Sequence, residues 1–119
     1  MTYVDGFVFV ISKKKISAYK KLAQQAGKIW KKYGALRYIE CMGDDLHPKF
    51  VKLTFPQLTQ LKPGETVWYS FVIYKSKAHR DHVNAKVMKD PFMNDSKNKD
   101  MPFDLKRMAY GGFQAVVDL

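Results

Sequence analysis

Residues 3–33, YVDGFVFVISKKKISAYKKLAQQAGKIWKKY, change from a strand pattern to a helix pattern within one stretch. Residues 3–11 are rich in aromatic and β-branched side chains, which favour a β-strand. In residues 13–33 apolar side chains recur every three or four positions and lysines occupy the other side, as in an amphipathic α-helix. Ser12 is the predicted N-cap of this helix and Gly34 its C-terminal stop. We therefore expect a long helix that packs on the preceding strand.

The rest of the chain continues the alternation of strands and helices. Aromatic and β-branched runs predict strands at residues 35–43, 67–74 and 107–117. A second helix is predicted at residues 77–90, with Ser76 as its N-cap and a proline directly after it. These elements leave two long connections.

The connections are less regular. Residues 44–66 contain three prolines, and we expect a short strand near Phe50–Phe55. Residues 92–105 are predicted to form a polar loop. The pair Gly111-Gly112 interrupts the last strand and is expected to mark a bulge or kink.

The order of elements predicts an α+β fold. β-α-β-β-α-β is the ferredoxin-like pattern, with two helices on one face of a four-stranded antiparallel sheet. A length of 119 residues predicts one such domain over residues 1–119. The first and third strands should be central, and both are apolar on both faces. Since the helices cover one face only, we expect a second copy to cover the other in a sheet-on-sheet homodimer.

Composition excludes several classes of protein. With 46% hydrophobic and 27% charged residues, the chain is not disordered, collagen-like or a disulfide scaffold. The single cysteine, Cys41, cannot form an internal disulfide, which fits a reducing compartment. The longest apolar run, Phe7–Ile11, is far too short to span a membrane, and the N-terminus lacks a signal-peptide pattern. We expect a cytoplasmic protein with no membrane partner.

A net charge of +10 raises the question of polyanion binding. Residues 1–33 hold eight lysines and one acid, and Lys20, Lys28 and Lys31 on the first helix are the candidates for contacts with nucleic acid. The third strand also partly matches an RNA-recognition signature. Arginine, the better phosphate ligand, occurs only three times. This scarcity favours a solvated helix face, and nucleic-acid binding stays as an alternative.

A few residues are candidates for chemistry in a cavity between sheet and helices. His79 is on the same line of the second helix as the apolar Val83. A structural hydrogen bond is the favoured interpretation of a polar side chain at that position. The alternative is a place on the cavity wall, where His79 would be the candidate general acid or base. Glu40 and Asp44 are the candidate catalytic partners. Cys41 and Tyr110 are candidates for lining the cavity, although burial of an inert thiol and aromatic packing are simpler interpretations.

A metal site is a further alternative. His79 and His82 are three residues apart on the second helix, and His47 or nearby carboxylates would complete the ligands. No spacing is diagnostic and no second cysteine is available. We therefore predict neither a metal nor a cofactor.

Four segments resemble the YbaA-like family of small bacterial proteins. They are YVDGF at 3–7, LKPGETV at 61–67, YKSKAHRDHVNAKVMKDP at 74–91 and MPFDLKRMAYGGF at 101–113. The resemblance covers nearly the whole chain and implies the dimeric α+β barrel superfamily. The family has no established reaction, so the resemblance implies a fold and an assembly. A shared fold alone is weak support for a particular reaction.

Three functions follow as hypotheses. The first is a small homodimeric protein that binds or transforms a small molecule in a cavity between sheet and helices. The second is an RNA- or polyanion-binding protein that uses the lysine-rich helix face. The third is a structural or interaction module without an active site.

Overall fold

A four-stranded antiparallel sheet with helices packed on one face forms the fold. The computed structural model describes residues 1–95 and 102–119. The strands are β1 (Tyr3–Ser12), β2 (Arg37–Met42), β3 (Glu65–Tyr74) and β4 (Ala109–Gln114). The helices are α1 (Ile16–Lys32), α2 (Phe55–Leu58), α3 (Lys77–Lys89) and α4 (Pro91–Asn94). Within the described residues, 3-10 turns occur at Lys13–Lys15 and Leu105–Arg107.

The strand order is β2-β3-β1-β4, so the two strands that are apolar on both faces are central. Phe9 and Ile11 of β1 join Tyr19 of α1 and Trp68 of β3 in one buried cluster. A second cluster gathers residues of α3 around Tyr74. The predicted ferredoxin-like fold is confirmed.

The ends of the helices follow the sequence signals in part. Gly34 has φ of +116°, a conformation that glycine adopts readily, and ends α1 as predicted. The Ser76 hydroxyl accepts from the backbone N–H of His79 and caps α3, also as predicted. Ser12 makes no capping hydrogen bond through its side chain, because a 3-10 turn stands between it and α1.

Three local predictions are wrong. The segment expected to hold a strand near Phe50–Phe55 instead starts a short helix, because Thr54 and Gln57 form a capping box. The predicted polar loop contains α4 and a bridge between Phe103 and Ile11, while its residues 96–101 lie outside the described part.

The third concerns the glycines of β4. Its pairing with β1 runs without interruption, so Gly111-Gly112 mark no bulge. A Cβ atom at Gly112 would overlap the ring of Tyr3, which explains a glycine there without a kink.

The sheet face opposite the helices remains largely open in the single chain. Alternation along the strands puts Val8, Phe71 and Ile73 on this face. Tyr69 and Phe113 lie there too, and they are 43% and 63% exposed. An apolar sheet face of this kind is unusual on a protein that acts alone.

Candidate functional site

A groove and a cavity adjoin each other on the helix side of the sheet. The groove runs between α1 and the edge strand β2 and has a volume of about 910 Å³. The cavity lies deeper, between α1 and the central strands, with a volume of about 270 Å³. Ala23, Tyr38 and Glu40 line both, so the two spaces meet at these residues.

The cavity is almost entirely apolar. Its walls come from β1, β3, α1 and the segment before β4, and include Phe7, Phe9, Leu22, Ala26, Phe103 and Met108. Its polar side chains are few, and Ser70 of β3 is one of them. Ligand sites of small proteins have this composition, since apolar walls supply affinity and a few polar groups fix orientation.

Glu40 is the polar centre of the junction. Its Oε1 accepts from the Tyr19 hydroxyl at 2.9 Å and from the Trp68 indole N–H at 2.7 Å. Its Oε2 accepts from the Tyr38 hydroxyl at 2.6 Å and, at 3.2 Å, from Tyr19. An ionised carboxylate has about four acceptor positions. The Tyr19 hydroxyl has one proton, which it donates mainly to Oε1, so its longer contact does not occupy Oε2 fully. One acceptor position on Oε2 therefore remains for a ligand.

The two tyrosines are held as neutral donors. Burial, followed by the negative charge of Glu40, raises the pKa of both Tyr19 and Tyr38 well above the usual tyrosine value. Their protons therefore stay on the hydroxyls throughout the physiological range. The result is a fixed carboxylate that two hydroxyls and an indole orient in an apolar setting.

Gly27 sets the distance between α1 and β2. A Cβ atom at this position would lie 2.7 Å from Cδ1 of Tyr38, which is closer than carbon atoms approach in proteins. Trp30, one turn further along α1, packs against the same ring with centroids 5.8 Å apart. The helix therefore fixes Tyr38 in the position from which it donates to Glu40.

A second polar network, centred on the buried Asp5, joins β1 to α3. The Asp5 carboxylate accepts from Arg80 at 2.8 Å, and the same guanidinium nitrogen donates to the Tyr110 hydroxyl at 2.9 Å. Asn84 donates to Asp5 at 3.5 Å, and its own oxygen accepts from Tyr74 at 3.1 Å. This network lines neither the groove nor the cavity, and it ties α3 to the sheet.

The structure separates the residues that the sequence grouped as catalytic. His79 lies at the start of α3, where Nδ1 accepts from the Lys75 N–H at 3.0 Å and the ring packs edge-on against Tyr74. His79 therefore lines neither the groove nor the cavity, since its ring closes the first turn of the helix. Asp44 is exposed beyond the end of β2. Of the three candidates, Glu40 alone lines the groove and the cavity.

The two candidates for cavity lining also lie elsewhere. Cys41 is exposed, and alternation from Glu40 puts it on the sheet face opposite the helices. Burial of this thiol was expected, but β2 is an edge strand and leaves it open. Tyr110 stacks on Phe7 with centroids 4.7 Å apart and belongs to the Arg80 network.

The three lysines named as nucleic-acid candidates all line the groove. Lys20, Lys28 and Lys31 recur along one side of α1, facing β2 across the space. Lys31 donates to the carbonyl of Leu36 at 2.7 Å, which fixes its ammonium group. The lysines therefore border a concave site as well as contributing to the charge of the helix.

Sequence reasoning missed the residues that hold Glu40. Tyr19 lies in the apolar stripe predicted for the first helix and Trp68 in the predicted third strand, and both are buried. One signal was present: Tyr38 and Glu40 are two residues apart on a strand and therefore share a face. The pairing of Glu40 with Ser70, which brings Trp68 near, cannot be found without the register.

Two features are absent from the described residues. Within residues 1–95 and 102–119, no three His, Cys, Asp or Glu side chains are placed to hold a metal ion. No helix in the same ranges is long and apolar enough to cross a membrane.

Comparison with solved structures shows the ferredoxin-like fold. A dimeric ferredoxin-like protein from an uncultured marine organism superimposes with a TM-score of 0.61 at 13% identity, over 100% of both chains. A variant of SnoaB, a cofactor-independent oxygenase from Streptomyces nogalater, gives a TM-score of 0.61 at 10% identity. That match covers 99% of this chain and 96% of SnoaB.

Comparison by sequence shows the family. The uncharacterized protein YbaA of Escherichia coli K12 is 41% identical over 118 residues, which cover 99% of both chains. Residues 2–105 match the family described as Protein of unknown function (DUF1428). The chain therefore belongs to the DUF1428 family, as the YbaA-like segments of its sequence indicated.

Proposed function

We propose that this protein is a homodimer in which each chain binds a small, largely apolar molecule between its sheet and α1. The observation that carries the proposal is the position of Glu40, an oriented carboxylate at the mouth of an apolar cavity. A half-buried carboxylate beside apolar walls contributes little to stability for the cost of its desolvation, so recognition of a ligand is the better explanation of its presence here.

The cavity favours a flat ring system. Aromatic side chains dominate its walls, and a volume of about 270 Å³ is at the small end for ligand sites. The acceptor position that remains on Oε2 of Glu40 favours a ligand with a hydroxyl or N–H donor. A hydroxylated aromatic compound combines both properties.

The dimer proposal rests on the open face of the sheet. Tyr69 and Phe113 are exposed there beside other apolar side chains of the strands. A second copy of the same face would bury these side chains, and the dimeric ferredoxin-like neighbour has the same fold. A stable interface of this type buries more than about 1,000 Å² in total. A cytoplasmic location remains a prediction.

Binding of 1-naphthol, a fluorescent hydroxylated aromatic probe, tests the ligand proposal. We expect saturable binding by the full chain, weakened about tenfold in Glu40→Gln because a hydrogen bond to a charged acceptor is lost. Ala26→Leu keeps Glu40 and fills the cavity, so it should abolish binding. Ala18→Leu, at an exposed position of the same helix, is the matched control. Unchanged binding in Ala26→Leu would refute the site.

Light scattering at micromolar concentration tests the dimer. The expected mass is twice the 13.8 kDa of one chain. Tyr69→Lys puts a charge on the open face and should dissociate the dimer, whereas Met88→Lys, at an exposed position of α3, should not. A single 13.8 kDa species in the unmodified protein would refute the proposal.

Polyanion binding by the lysines is the less favoured function. Lys20, Lys28 and Lys31 line a concave groove, and Lys31 is held by a backbone carbonyl. We expect weak binding of nucleic acid that disappears near physiological salt, since it would depend on counterion release alone. Tight, sequence-selective binding under those conditions would reverse the order of the two functions.

A further inference from the structure

The groove beside the cavity has one strongly positive wall. Lys20, Lys28 and Lys31 line it together with Gln24, all on α1. Among the described residues that line the groove, Glu40 is the one carboxylate, and its charge is already shared by three donors. A groove of one sign with low-dielectric walls concentrates ligands of the opposite sign.

The positions of the lysines bring this charge to the mouth of the cavity. The mouth lies beside Ala23, which lines both spaces, and Lys20 and Lys28 come before and after it along α1. At about 1.5 Å per residue, their backbones are within about two helical turns of Ala23. Lysine side chains are long and flexible, so both ammonium groups can reach a group bound at the mouth.

We propose that the ligand is an acid whose anionic group binds Lys20 and Lys28 while its hydroxyl donates to Glu40 and its ring enters the cavity. Lys31 is left out of this role because it already donates to the Leu36 carbonyl. The inference rests on the proposed function and names its ligand class. The shape required is a ring system with both polar groups at one end.

The relative position of the two polar groups follows from the site. An anion directly adjacent to the hydroxyl would accept the hydroxyl proton itself and would lie against the Glu40 carboxylate. One ring position further apart, the hydroxyl is available to Glu40 and the anion points towards α1. The compound 4-hydroxy-2-naphthoate has this arrangement, with an unsubstituted ring for the cavity. Without its carboxylate it is 1-naphthol, so the two form a matched pair.

The test compares the affinities of these two compounds. The unmodified protein should bind 4-hydroxy-2-naphthoate about tenfold more tightly than 1-naphthol at low ionic strength, the size expected for charge-assisted contacts. In Lys20→Gln/Lys28→Gln this preference should fall to about twofold or less, while 1-naphthol binds as before. Lys14→Gln/Lys21→Gln loses the same charge at exposed positions outside the groove and should keep the preference.

Each outcome decides between the two claims. Equal affinity for the acid and for 1-naphthol, with 1-naphthol still bound, would overturn the inference and leave the binding function intact. A preference that survives in Lys20→Gln/Lys28→Gln would also overturn it, because another group would then hold the anion. Absence of 1-naphthol binding from the unmodified protein would contradict the binding function and this inference together.

Discussion

The ion pair between Asp5 and Arg80 provides a sharp test of what holds α3 on the sheet. The side chain of Asp5 is 2% exposed and that of Arg80 is 14% exposed, and their contact is 2.8 Å long. Arg80→Met keeps much of the volume of the side chain and removes its charge. The carboxylate of Asp5 is then left buried without a cation beside it, with the long contact to Asn84 and the hydroxyl of Tyr110 as its remaining partners.

The expected loss is large because one partner of a buried pair is removed. Such changes cost about 3–5 kcal/mol of the free energy of unfolding. For a domain of this length, each kcal/mol corresponds to roughly 3–5 °C, so the melting temperature should fall by about 10–25 °C. Urea unfolding at pH 7, followed by circular dichroism, measures the free energy directly.

A double-mutant cycle separates the buried charge from simple loss of packing. Asp5→Asn combined with Arg80→Met leaves no unpaired charge and should be more stable than Arg80→Met alone. Asp81→Asn removes the other carboxylate that contacts Arg80, which is 61% exposed, and should change stability by at most about 0.5 kcal/mol. If the two single losses simply add in the double variant, within about 0.5 kcal/mol, the reasoning is refuted.

Three further predictions follow from local geometry. Gly27→Ala should lower the melting temperature, because displacement of the Tyr38 ring costs about 1–3 kcal/mol and the gain in helix propensity is only about 1 kcal/mol. Ser76→Ala removes the cap of α3 and should cost about 1 kcal/mol in urea unfolding. The hydrogen bonds from Arg107 lower the pKa of Glu65 from 4.5 to about 2. The stability from this pair is therefore present above about pH 4.5 and lost towards pH 2, and Glu65→Gln should flatten the fall in melting temperature over that range.

Each of these has a clear contrary result. A higher melting temperature for Gly27→Ala would mean that the Tyr38 ring moves at no cost. If Ser76→Ala unfolds in urea with the same free energy as the unmodified protein, the cap contributes nothing to stability. If the melting temperature of Glu65→Gln falls with acid as steeply as that of the unmodified protein, the ion pair is not a source of the pH dependence.

The sequence was sufficient for the framework of the fold. The central strands are apolar on both faces, and the 3.6-residue period of α1 is unbroken, so period and composition alone located them. The prediction of a strand after β2 was wrong, because the short helix there depends on a local capping box at Thr54 and not on a hydrophobic period. The prediction of a bulge in β4 was wrong, because Gly112 makes room for the Tyr3 ring on the neighbouring strand, which no local pattern contains.

Of the residues at the centre of the candidate site, the sequence predicted only one. Glu40 was named as a candidate catalytic partner of His79, but His79 lies on a different part of the fold. The donors to Glu40 come from α1, β2 and β3, and each is an aromatic residue that a core would contain anyway. Their second role depends on where their polar atoms point, and this is a property of the packed structure.

The origin of the cavity walls has a consequence for how such proteins diversify. In the proposed site the anchor would be Glu40 on β2, whereas most of the apolar wall comes from other elements, among them Leu22 of α1 and Met108 near the start of β4. Exchange of one wall residue for a larger or smaller one changes the size of molecule that fits and leaves the carboxylate and its donors untouched. Ligand choice and ligand anchoring can therefore evolve separately on this scaffold, so relatives that keep the anchor need not share a ligand.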